Sequence, residues 1–131
     1  MAAARRILLI DDELPLLQLI ERHLKRIGYE VDTHALSASG LESLEAKPDG
    51  YGLVIADLGM PDISGEALVH RIFEIHPGAR ILICSGTPFY VSSLPAPLAA
   101  RVAFLQKPFL PKMLADEIEK LLARDLPSQD G

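Results

Sequence analysis

Five polar residues stand where the chain's apolar runs break off. Asp11 and Asp12 follow ILLI, Asp57 follows LVIA, Ser85 follows ILIC and Lys107 follows VAFLQ. Three carboxylates brought together repel, and a hard divalent cation, a lysine ammonium or protonation relieves such a cluster. Magnesium takes oxygen ligands, keeps several waters and often works beside a phosphoryl group. An aspartate can itself take a phosphoryl group as an acyl phosphate. An ammonium and a hydroxyl would then offset the charge on the phosphoryl oxygens. All of this requires the five side chains to meet.

The elements between them say how they could. Ile7 to Ile10 is a short apolar run of the kind buried on both faces of a parallel sheet. Leu16, Leu17, Ile20, Leu24 and Ile27 recur at helical spacing between Pro15 and a stop at Gly28. Tyr29 to Ala35 alternates like a strand with one wetter face near a sheet edge, and Ser37 to Ala46 reads as a short helix broken by Pro48, Asp49 and Gly50. Leu53 to Ala56 is a buried strand running into Asp57, after which Gly-Met-Pro-Asp ends it.

Glu66 to His76 is predicted helical and closes at Pro77-Gly78, and Ile81 to Cys84 is the next buried strand. Pro88, Pro95 and Pro97 interrupt residues 87–101, so a short or irregular helix is expected there. Val102 to Gln106 is a fifth strand, and Pro111 to Ala123 a closing amphipathic helix. Five strands alternating with five helices call for a doubly wound α/β fold, a parallel sheet with right-handed crossovers. Such a sheet brings all five polar residues to one edge, where ligands of open α/β sheets bind.

At 131 residues and 49% hydrophobic, the chain has material for one domain, read as residues 1–124 with a flexible tail at 125–131. A balance of 13 Lys+Arg against 18 Asp+Glu, net −5, argues against nucleic acid as a direct partner. No apolar run nears the roughly 18 residues of a membrane span. MAAARRILLIDDE lacks the features of a signal peptide, so the cytoplasm is the expected location. The single Cys84 reads as a small buried hydrophobe, and His23, His34, His70 and His76 as dispersed surface or helix-end residues.

From about Arg6 to Ala123 the chain resembles the response-regulator receiver domains of two-component signalling. ILLIDDE is similar to the family's acidic pair, and VIADLGMPDISG to the phosphoacceptor strand with its Met-Pro-x-x-x-Gly loop. ILICSG resembles the strand that ends in the switch hydroxyl, and FLQKPF the lysine-proline segment. The resemblance implies a flavodoxin-like, CheY-like sheet in the order 2-1-3-4-5. It implies phosphorylation of Asp57, and magnesium, or manganese in its place, held by Asp12, Asp57 and the Gly59 carbonyl. Asp11 would join as a direct ligand or through a water. Ser85 would be the switch hydroxyl, Phe104 the aromatic that changes rotamer with it, and Lys107-Pro108 a cis peptide.

The donor implied is a histidine kinase or a histidine phosphotransfer protein. The output implied is the surface of the fourth helix, fifth strand and fifth helix, offered to an unidentified protein target by a monomer or a phosphorylation-dependent dimer. AFLQKPF and the Ser-Gly after strand four are more similar to receivers of hybrid histidine kinases than to the free chemotaxis type. Pro95 and Pro97 depart from the family's regular fourth helix, and Ala99-Ala100-Arg101 from its common Gly-Ala turn.

The resemblance implies a switch that catalyses only its own phosphorylation and dephosphorylation. Three rivals belong to other classes. An interaction module that is never phosphorylated usually lacks one of the acidic or lysine positions, and all are present here. A magnesium-dependent phosphatase of the haloacid-dehalogenase type would carry Asp-x-Asp after strand one, where this chain has Asp11-Asp12-Glu13. A flavodoxin-like nucleotide binder would need a glycine-rich phosphate loop there instead.

Overall fold

A computed structural model of the chain describes residues 5–126. The strands are β1 (Arg6–Ile10), β2 (Glu30–His34), β3 (Leu53–Asp57), β4 (Ile81–Ser85) and β5 (Val102–Gln106). The helices are α1 (Leu14–Arg26), α2 (Ser37–Ala46), α3 (Gly65–Ile75), α4 (Ala96–Ala99) and α5 (Pro111–Ala123). All strand pairs are parallel, in the order β2-β1-β3-β4-β5. The expected topology is therefore present, and β2 is the edge strand that its mixed pattern predicted. The proposed tail lies mostly outside the described residues, at 127–131.

Strand side chains alternate between two apolar layers. Leu8, Ile10, Val54, Ala56, Ile81 and Ile83 face α2 and α3. Ile7, Leu9, Leu53, Ile55, Leu82 and Cys84 face α1 and α5 through Leu17, Ile20, Leu24, Leu114, Ile118 and Leu121. Burial on both faces is why β1, β3 and β4 read as continuous apolar runs. Burying a side chain of this size is worth about 1.5–3 kcal/mol.

Helix ends follow local chemistry. Gly28, at φ +104°, closes α1: its N–H reaches Lys25 O at 3.1 Å and the Tyr29 N–H reaches Leu24 O at 3.0 Å, so the last carbonyls are satisfied. A Cβ on Gly40 would stand 2.6 Å from Ile10 Cδ1, so this glycine lets α2 lie close on β1. The segment with the prolines forms a single 3-10 turn at Val91–Ser93 and the four-residue α4. The irregularity expected there is real.

His34 is not the surface residue the sequence suggested. It sits half-buried on β2, its Nδ1 3.0 Å from Ser39 Oγ and its Nε2 2.8 Å from Ser43 Oγ, and so ties the edge strand to α2. The two serines lie four residues apart on one face of α2, a relation that strand alternation does not reveal.

Candidate functional site

The sheet register assembles the site. Ile10 pairs with Ala56, Asp57 with Cys84 and Ser85 with Gln106, so the ends of β1, β3, β4 and β5 lie side by side. Asp11, Asp57 and Ser85 are buried there, and Asp12 points outward. Carboxylate oxygens of Asp11, Asp12 and Asp57 all lie within 4.8 Å of one another. Asp12 and Asp57, with Glu13, Gly59, Ser85 and Lys107, line an open cleft of about 580 Å³. That leaves room for a cation with several waters and a phosphoryl group, since liquid water takes about 30 Å³ per molecule.

Lys107 is the hub of the cluster. Its Nζ donates to Glu13 Oε1 at 2.7 Å, to Asp11 Oδ2 at 2.9 Å and to Asp57 Oδ2 at 3.3 Å. Its backbone N–H donates to Ser85 O at 2.8 Å, and the peptide to Pro108 is cis, as the family resemblance implied. Burial alone would pull the ammonium's pKa down; the bonds to Glu13 and Asp11 and the charge of Asp57 outweigh it and raise it. Lys107 therefore stays a cation at any physiological pH.

The two buried carboxylates are oriented by backbone. Asp11 Oδ1 accepts the Glu13 N–H at 2.9 Å, and Asp57 Oδ1 accepts the Gly59 N–H at 3.0 Å. Burial raises the pKa of Asp11, and the Glu13 amide and Lys107 hold that rise in check. Ser85 Oγ lies 3.1 Å from Thr87 Oγ1 and accepts the Thr87 N–H at 3.2 Å. The hydroxyl is thus held at the mouth of the cleft by its own loop.

Phe104 lies on the other face of β5 from Ala103 and Leu105. It packs half-buried against the layer that holds Phe89, Leu94 and Leu98. Asp11, Asp12, Asp57, Gly59, Ser85, Lys107 and Pro108 accordingly meet at this edge, and Phe104 lies within β5, three residues before Lys107. The contact that sequence reasoning missed is Glu13 with Lys107, 94 residues apart. Its only signal was the third acid in Asp11-Asp12-Glu13.

The donor set suits a hard cation: three carboxylates, with Gly59 on the loop beside them and, among the described residues, no histidine or cysteine in the group. The Lys107 ammonium is the cation that Asp11 and Asp57 hold. Cys84 Sγ is buried in the α1–α5 layer, with its thiol pushed up to about 12 by burial.

Comparison with known proteins bears on the site as a whole. The family model for the response regulator receiver domain matches residues 7–119. The response regulator receiver protein CpdR of Brucella abortus is 34% identical over 122 residues, covering 90% of this chain and 97% of CpdR. Among solved structures, the receiver domain of the hybrid histidine kinase CckA matches at TM-score 0.76 and 29% identity, over 89% of this chain and 98% of that one. The response regulator TrrA of Thermotoga maritima, in complex with Mg(2+)-BeF, matches at TM-score 0.75 and 32% identity, over 89% and 98%. Of several longer relatives this chain spans between 12% and 58%.

Proposed function

Because the chain belongs to the response regulator receiver domain family, we propose that Asp57 accepts a phosphoryl group from the phosphohistidine of a histidine kinase or histidine phosphotransfer protein. The observation that supports this most is a buried carboxylate at the end of β3 with an ammonium 3.3 Å from its Oδ2 and an open cleft before it. An oxygen of Asp57 attacks phosphorus. The O–P bond forms as the P–N bond breaks, and the electron pair of that bond stays on the imidazole nitrogen, which takes up a proton as it leaves.

The residues around Asp57 have separable parts in this step. Lys107 supplies a fixed positive charge for the phosphoryl oxygens, and the Ser85 hydroxyl turns from Thr87 to donate to one of them. Asp12, Asp57 and the Gly59 carbonyl would hold magnesium or manganese, with Asp11 ligating directly or through a water, and the ion's charge would offset that of the phosphoryl group. Water, or a downstream histidine, later takes the phosphoryl group and restores the carboxylate. The chain turns over no separate substrate and is a switch.

Phe104 is the means by which this state reaches the surface. It lies three residues before Lys107 and packs against the same core layer as Leu94 and Leu98 of the α4 segment, so movement of Ser85 and Lys107 repacks the face made by α4, β5 and α5. A protein target binds there, to a monomer or to a dimer formed on phosphorylation. The cytoplasm is the compartment proposed for this exchange, on the family reading; separately, among the described residues no helix is long and apolar enough to cross a membrane. Intact mass after incubation with acetyl phosphate and magnesium tests the reading. Wild type should gain one phosphoryl group, and Asp57→Asn or chelated samples none. A folded wild type that binds magnesium yet stays unlabelled would instead be an interaction module.

A further inference from the structure

Glu13 occupies the N-cap position of α1, yet its side chain makes no capping hydrogen bond. It reaches Lys107 Nζ at 2.7 Å, shorter than the contacts to Asp11 and Asp57. The three carboxylates differ in freedom. The side chains of Asp11 and Asp57 are 3% and 7% exposed and each is pinned by a backbone N–H, whereas that of Glu13 is 58% exposed.

The position of the ammonium creates a conflict. Lys107 sits on the carboxylates of Asp11 and Asp57, two of the three that would hold a cation. Each Oδ2 already accepts from the ammonium and each Oδ1 from a backbone N–H, so a cation must compete with Lys107 for these oxygens. Lys107 is itself only 12% exposed, so a move with no new partner leaves a partly desolvated charge. Glu13, at the solvent side of the same ammonium, removes that cost.

We propose that Glu13 is a positioning residue for Lys107, a carboxylate that keeps the ammonium at the rim of the site while Asp11 and Asp57 are released to a cation and then to the phosphoryl group. This rests on the reading that a divalent cation enters among Asp11, Asp12 and Asp57. Glu13 touches neither cation nor phosphoryl group. Its effect passes through Lys107 alone.

That dependence makes the inference testable by calorimetric titration of magnesium, without any phosphorylation. Four proteins are compared: wild type, Glu13→Gln, Lys107→Met and the double variant. Lys107→Met should bind magnesium more tightly than wild type, because the competing ammonium is gone. Glu13→Gln should weaken binding roughly three- to fivefold in the wild-type background and leave it within about 1.5-fold in the Lys107→Met background.

Equal weakening in both backgrounds would show that Glu13 contributes only its charge, and unchanged affinity of Glu13→Gln would show that it contributes nothing; either overturns the inference. Wild type that binds no magnesium would overturn the reading beneath it as well. The outcomes separate the two.

Discussion

At Cys84 and Asp57, paired across β3 and β4, one sheet register serves two purposes. Cys84 faces the α1–α5 layer at 2% exposure, and burial pushes its thiol up to about 12. A thiol reagent at pH 8 should therefore leave the native protein unmodified over times that fully label it in denaturant. Labelling of native protein at the rate of a free thiol would mean that β4 opens readily. Asp57, Ser85, Lys107 and the acidic pair were legible because each ends an apolar run, and a polar residue at such a break is visible without coordinates. Glu13 was not. Its importance depends on where the segment after β5 aims a side chain from 94 residues away, which no local pattern encodes.

At the scale of elements, α2 begins without a cap of its own, since Leu36 stands at the N-cap position. Asp62, from the loop after Asp57, supplies one: its carboxylate accepts the Ser37 N–H at 3.2 Å and the Ala38 N–H at 2.9 Å. These bonds, the Ala38 amide foremost, hold the Asp62 pKa below the ordinary carboxylate value. A depressed folded pKa contributes stability above the unfolded value, and that stability is lost as pH falls through the folded value. Asp62→Ala should cost about 1 kcal/mol at pH 7, with the gap to wild type closing in acid below about pH 3.8. Melting temperatures across that range check it, and a gap that persists at low pH would assign the loss to something other than the charged cap.

Helix and strand existence was readable from spacing, and three of the boundaries, α2, β5 and α5, agree with the sequence to the residue. Others shift by one or two positions: β2 is Glu30–His34 where alternation ran from Tyr29 to Ala35, because pairing with β1 sets its ends. The cap on α2 from Asp62 could not be read, since it joins residues about 25 apart across two elements. In the fourth helix region the prolines announced disruption, but which turns survive depends on packing of Phe89, Val91, Leu94 and Leu98 against the core.

For the molecule as a whole, the edge opposite the cleft is closed by arginines. Arg80 Nη1 donates to Leu121 O at 2.6 Å, Arg124 O at 2.8 Å and Leu122 O at 3.2 Å, capping the end of α5. Arg124 in turn donates to Ala100 O and Val102 O. A cation at a helix C-terminus is favoured by the peptide dipoles, so Arg80→Ala should lower stability by about 1–3 kcal/mol, read from urea unfolding. An unchanged midpoint would show that α5 is held by Leu114, Ile118 and Leu121 alone. One end of the sheet is thus tied down, and the other carries the chemistry.

The central claim concerns a single carboxylate, and borohydride trapping addresses it most directly. Borohydride reduces an acyl phosphate to the alcohol, so protein phosphorylated with acetyl phosphate and magnesium, then reduced and digested, should carry homoserine at position 57 in the peptide containing Met60 and Pro61. Homoserine at position 11 or 12, or none in protein shown to carry a phosphoryl group, would contradict the assignment of Asp57.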